Sequence, residues 1–455
     1  MTVPWTRFSR RDLVLGGGTL FGLSMLTGPL RAQAPAADGF RSLRARPGQA
    51  WLRGPDRPPS AIWGFDGAVP GPTIRVKRGE EARLRLINDL PEATALHWHG
   101  VRISNAMDGA PHLTQPPVAP GASFDYRFAC PDAGTFWYRA SHPWLAQRGL
   151  SGLLLVEEVD PIAVDQDIAL MLADWRAPPD GSLADSGAAA PQGAAGQPTP
   201  APHLTANGVP RVDIPVRTNE RIRLRLVNAA EGLMSLRLDR HRATVMALDG
   251  QPAEPFTARD NRIFLGPGNR ADLFVDASLE GGASAPITVE TEAGVVEIAR
   301  LAYAAEAPVR AMPLPDPAPL PANPLPARMD FAGALKLDVP IEDASAKETV
   351  WSVHNSGADR ALGRPLLSLK RGRTVMLAFV NRTAAPAVLH VHGHAFRLLD
   401  RLDDGWKPFW LDTLVVPQRQ TLRIAFLADN PGKWMIECGT LGDQPAAMAA
   451  WFEVT

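Results

Sequence analysis

The chain has 455 residues, too many for one ordinary core, and a rule of about one domain per 100 to 200 residues points to roughly three domains. Lys plus Arg (47) nearly balances Asp plus Glu (48), which excludes a strongly basic nucleic-acid binder and a polybasic membrane-surface protein. With 44 Pro and 39 Gly punctuating short alternating runs of Leu, Val and Ile, the composition predicts an all-β protein.

At the N-terminus, Phe8-Ser9-Arg10-Arg11-Asp12-Leu13 precedes an apolar, glycine-bearing stretch to about Leu30 and small residues around Ala32 to Ala37. That order is a twin-arginine export signal. Residues 1–37 are expected to be this signal and a short N-terminal segment, cut after Ala34 or, because Pro35 hinders that cut, after Ala36. A membrane anchor is the alternative, but the stretch is short for a span of about 20 apolar residues. The expectation is a periplasmic protein with no transmembrane anchor after cleavage. Two cysteines, Cys130 and Cys438, make one disulfide an option and exclude a disulfide scaffold.

A strand motif then occurs three times, each copy running 14 positions from an apolar residue to an asparagine: IRVKRGEEARLRLIN from Ile74 to Asn88, IPVRTNERIRLRLVN from Ile214 to Asn228, and LSLKRGRTVMLAFVN from Leu367 to Asn381. Three copies imply three similar domains. In each, two short alternating strands flank a polar turn, so apolar residues are expected to face a core while Arg, Lys and Glu face water. A second element recurs as PGASFDYRFACPDAGTFWY ending at Tyr138 and PQRQTLRIAFLADNPGKWM ending at Met435. The predicted organisation is domain 1 over 38–158, domain 2 over 159–305, an extended proline-rich linker over 306–328 and domain 3 over 329–455. Sequence from about Pro178 to Pro202 is expected to be a long surface loop.

Five of the ten histidines fall in two clusters, His97 and His99 in HWHG and His390, His392 and His394 in HVHGH. His97 lies nine residues after Asn88 and His390 nine after Asn381; His99 and His392 lie eleven after. The two pairs therefore occupy equivalent strands of domains 1 and 3. Side chains two apart on a strand share a face, so pseudo-symmetric packing would bring four imidazoles together, a ligand set that suits copper or zinc. A lone H-x-H pair is more often a polar, half-exposed strand; two at equivalent positions point to an ancestral metal site. Domain 2 has Arg237 and Asp239 there and should not contribute. His394 is expected to hydrogen-bond nearby, and His112, His142, His203, His241 and His354 to be structural or on the surface.

HWHG, the stretch from MDGAPHLTQPPVAPG to GTFWY, QRGLSG, HVHGHAF and ADNPGKWMIEC ending in MAAWFEV resemble, in order and over nearly the whole mature chain, the motifs of three-domain multicopper oxidases. The resemblance implies three cupredoxin-like Greek-key β-barrels. It also implies a blue copper that takes electrons from a donor and a trinuclear cluster, held by four H-x-H pairs, that reduces dioxygen to water. On that pattern His97 and His390 fall at the type 2 copper, and His99 and His392 each fall at one ligand of the type 3 pair.

The remaining ligands do not match. The family has H-x-H where this chain has Arg139-Ala140-Ser141, and H-C-H where it has Glu437-Cys438-Gly439. Cys438 and Met448 keep two blue-copper positions, but Ala387 and Asp443 stand where its histidines belong. The blue centre is expected to be absent, leaving room for one or two copper ions and not for four. Arg139 and Glu437 both lie five residues after equivalent glycines, Gly134 and Gly432, so they are expected to face each other and form a charge-assisted pair across the old cluster. The leading expectation is a non-oxidase scaffold or binding protein of the cell envelope, with an unidentified protein or envelope partner, no nucleic acid, and a monomer as one option. The alternatives are a mononuclear copper protein with residual oxidoreductase or metal-carrying work, and an active laccase-like oxidase.

Overall fold

A computed structural model describes residues 38–176, 202–291, 294–342, 351–353, 363–399, 406–441 and 447–455. The export signal, nearly all of the Pro178–Pro202 loop, His354 and Asp443 lie outside the described residues. Among those described, helix is limited to Pro143–Gln147 and to 3-10 turns at Asn105–Met107 and Arg259–Asn261. None is long and apolar enough to cross a membrane.

The strands form six sheets, and each sheet draws its strands from one of three stretches of chain: 41–157, 166–303 or 335–454. The protein is therefore all-β, built from three two-sheet, cupredoxin-like units. Alternation explains the packing. Along Glu81–Asn88, Ala82, Leu84 and Leu86 point into the core while Glu81 and Arg83 stay exposed. The apolar cores of the first and third units run together, whereas the second unit has its own.

The repeated motif does more than turn a hairpin. Gly71–Lys77 and Glu81–Asn88 lie in different sheets of the first unit, as do Val212–Val216 and Arg221–Asn228 in the second, and Leu367–Leu369 and Arg373–Asn381 in the third. Each copy is a corner that carries the chain from one sheet to the other. The asparagine closing each copy braces that corner. Asn88 donates to Glu92 O and Val118 O while accepting from Leu90 N; Asn228 and Asn381 repeat the pattern with Gly232, Leu265 and Ala230, and with Ala385, Val416 and Thr383.

One expectation needs correction, and the linker and the two cysteines can then be placed. The second copy's arginines do not face water: Arg221, Arg223 and Arg225 are buried, because that strand packs against the first unit and acids mostly from the second unit itself, Asp167, Asp272 and Asp276, close over its polar face. Arg223 and Arg225 share Asp272 and reach out to Glu158 and Asp167 respectively. The proline-rich linker has no strand of its own but is pinned along its length. Asn323 bonds Ala133 and Gln251, Arg102 holds Pro324 O, and Arg221 holds Pro315 O. Finally, Cys130 and Cys438 are both free thiols and both buried.

Candidate metal centre

The first and third units meet on a pair of matching strand ladders. In one, Leu96–His99 runs antiparallel to Gly134–Ala140 with His97 opposite Arg139; in the other, Ala387–Val391 runs antiparallel to Gly432–Thr440 with His390 opposite Glu437. Because residues two apart share a face, each H-x-H strand turns both imidazoles to the seam. All four rings come together there, 1–4% exposed. His97 stacks on His392 with centroids 3.9 Å apart, and His99 on His390 at 3.6 Å.

The hydrogen bonds fix which ring nitrogen carries each proton. His97 Nδ1 lies 3.1 Å from Asp108 O and His390 Nδ1 lies 3.0 Å from Asp412 O. A carbonyl only accepts, so each Nδ1 bears hydrogen and each Nε2 keeps a lone pair. Those two Nε2 atoms face each other at 3.1 Å. For His99 the reasoning passes through Thr413, whose hydroxyl donates to Asp412 Oδ1 at 2.7 Å and so accepts from His99 Nε2 at 2.9 Å. The lone pair of His99 is left on Nδ1, which is buried without a hydrogen-bond partner.

His392 sits differently. Its Nδ1 donates to the Asp108 carboxylate at 2.9 Å, and its Nε2 lies 3.5 Å from Glu437 Oε1. Burial alone would lower its pKa, but the two carboxylates outweigh that and raise it from 6.5 to about 9. His97 has the opposite balance: burial, reinforced by the neighbouring His392 charge, pulls it down to about 4. Glu437 in turn donates nothing and accepts from Arg139, with which it forms a hydrogen-bonded ion pair across the seam. Burial opposes its ionisation, yet the Arg139 guanidinium holds its carboxyl well below the usual carboxylate range. The pair expected from the glycine count is thus present.

Sequence reasoning missed the supporting acids. Asp108 comes from the turn after Asn105–Met107, within the MDGAP segment that marked the family motif. Asp412 and Thr413 come from the strand region beside Ala387–Val391. Behind them Arg270, fully buried, grips Asp412 at 2.7 and 2.5 Å and reaches Thr135 O and Asp249 O, so one guanidinium touches all three units. The other histidines stay apart. His394 donates from Nδ1 to His392 O inside a cage of Phe426, Trp434 and Phe452. His241 bonds Tyr303.

Residues 49–160, 166–283 and 335–455 each match the family described as multicopper oxidase. The multicopper oxidase MmcO of Mycobacterium tuberculosis is 28% identical over 97% of this chain and 96% of its own. The solved structure of Lac15 from a marine microbial metagenome is 32% identical, with a TM-score of 0.75 over 91% of this chain and 99% of that one. A multi-copper oxidase from Pseudomonas thermotolerans is 32% identical, with a TM-score of 0.77 over 91% of this chain and 98% of that one. The chain belongs to the multicopper oxidase family.

Membership in a multicopper oxidase family implies copper, and the residues present can be held against that requirement. A guanidinium offers no lone pair, so Arg139 cannot be a ligand, and its partner Glu437 is already committed to it. Near the thiol of Cys438, Leu389 and Met448 are its cross-strand neighbours and Ala387 is fully buried without a donor atom. Burial alone raises that thiol's pKa. The described residues do not fit a four-copper complement. Two compact groups of possible ligands remain among the described residues, His97 with His99 and His390, and His97 with Asp108 and His392.

Proposed function

We propose that this member of the family is a non-oxidase protein of the cell envelope, acting as a scaffold or binding module and not as an oxygen-reducing enzyme. The reading is carried by the Arg139–Glu437 ion pair, which stands at two positions where the family resemblance calls for copper-binding histidines. Reduction of dioxygen to water needs four electrons gathered at one centre and delivered to another. Ala387 at the first centre, and Arg139, Ser141, Glu437 and Gly439 at the second, supply no imidazole for either. The twin-arginine sequence at Arg10-Arg11 supports a periplasmic location, and the near balance of charge argues against nucleic acid as a partner.

The oxidase names of the relatives favour the competing reading, a laccase-like enzyme. The chain purified in excess copper decides between them. We expect no intense blue absorption of a thiolate-bound copper and no dioxygen uptake with a phenolic donor beyond that of free copper. A blue protein carrying four coppers and consuming dioxygen would overturn the proposal.

A further inference from the structure

We infer that a groove between the first and third units is a binding site for a small carboxylate with an apolar body. Neither the four imidazoles nor the Arg139–Glu437 pair line it, so it gives the proposed binding module a ligand class without drawing on the metal centre.

The groove has a volume of about 330 Å³, within the range of roughly 300–1,000 Å³ usual for small-molecule clefts. Its walls come from the loops inside the two copies of the recurring element. Ala129 and Pro131 precede Gly134 in the first unit, and Asp429, Asn430 and Pro431 precede Gly432 in the third. Ala129 and Pro431 are exposed and Pro131 is half-buried, so these residues offer an apolar surface to the body of a ligand.

The charges on the rim set which head group fits. Arg102 grips the buried Asp132 with Nε and Nη2, each at 2.7 Å, and Nη2 also donates to Pro324 O. Its Nη1 is left with Asp429 Oδ2 at 3.9 Å, beyond hydrogen-bond reach. Arg371, exposed at the turn of the third repeat copy, donates from Nε to Asp429 O at 2.9 Å. Among the described residues neither of its Nη atoms has a hydrogen bond or a salt bridge. The Ser104 hydroxyl does not cap the 3-10 turn that follows it. Uncommitted donors from Arg102, Arg371 and Ser104 therefore border one groove, against the single carboxylate of Asp429. A guanidinium fork matches the two oxygens of a carboxylate, and Arg102 is already held in place, so little ordering accompanies binding. Phosphate could use the same donors, but the Asp429 charge penalises a dianion more than a monoanion.

The test uses the full chain and 4-fluorobenzoate, followed by fluorine NMR. A dissociation constant of about 1 mM or tighter is expected, with the neutral 4-fluorobenzyl alcohol at least about tenfold weaker. Arg371→Ala should weaken binding by about tenfold, whereas Asp429→Asn should tighten it by about threefold. Circular dichroism checks that both variants fold. Absence of binding, or binding unchanged in Arg371→Ala, would overturn the site. Stronger binding of 4-fluorobenzylamine, lost in Asp429→Asn, would show a cation site and overturn the ligand class, as would a tighter grip on phenyl phosphate than on the benzoate. Each of these outcomes leaves the non-oxidase reading to the copper and dioxygen measurements, which do not involve this groove.

Discussion

Between Arg139 and Glu437 water screens little, because the two side chains are 9% and 24% exposed. Each has a second tie: Arg139 Nη1 donates to Ala140 O at 3.2 Å, and Glu437 Oε1 lies 3.5 Å from His392. Deleting one partner strands the other, which is the expensive way to break a buried pair. Arg139→Met should therefore cost about 3 kcal/mol in urea unfolding, and Glu437→Gln about 1–2 kcal/mol, because the amide keeps an acceptor. The double variant should cost at least about 1 kcal/mol less than the sum, and additive costs would show that the two residues do not stabilise one another. This pair was legible in the sequence because both residues sit at one count from Gly134 and Gly432, on strands whose register is set by the repeat. Asp108 and Thr413 were not. They arrive from outside the counted strands, and nothing in MDGAP or WLDTLVV announces that their polar atoms will meet imidazoles.

At the scale of elements, the repeat located the three units because apolar alternation and a closing asparagine survive in every copy. What the asparagine is for was not readable, since its partners lie up to 37 positions away, as Leu265 does from Asn228. Its amide satisfies two carbonyls and its oxygen one amide N–H, all inside the corner where the chain changes sheets. Asn381→Ala removes three such partners at a buried site and is expected to cost about 3 kcal/mol in urea unfolding. A loss below about 1 kcal/mol would mean that water takes over those bonds. The buried arginines of the second copy show the limit of reading strands alone. RIRLRL in Arg221–Asn228 has the alternation of a half-exposed strand, but Glu158, Asp167 and Asp272 come from elsewhere to enclose its polar face.

For the whole molecule the point of greatest consequence is the joint around Arg270, where Thr135 of the first unit, Asp249 of the second and Asp412 of the third converge. Asp249 accepts from the backbone amides of Arg270, Asp412 and Thr413, so its carboxylate ties the second unit to the third. Burial, and then the nearby Asp412 charge, push the Asp249 carboxyl from 3.8 up to about 6. A carboxyl raised in the folded state holds its proton more tightly there than when unfolded. Its contribution to stability is therefore complete below 3.8 and is lost as the pH rises through about 6. In Asp412→Asn the neighbouring charge is gone, and Asp249 becomes the remaining counter-ion of Arg270, so it should ionise at lower pH. Urea midpoints followed between pH about 4 and about 7 are expected to decline through this component in the unaltered chain and to flatten in the variant. The variant should also be less stable throughout, because Arg270 loses a charged partner and one of its two shortest bonds, the amide keeping a single acceptor oxygen. A slope that survives Asp412→Asn unchanged would mean that the titrating group lies outside this joint.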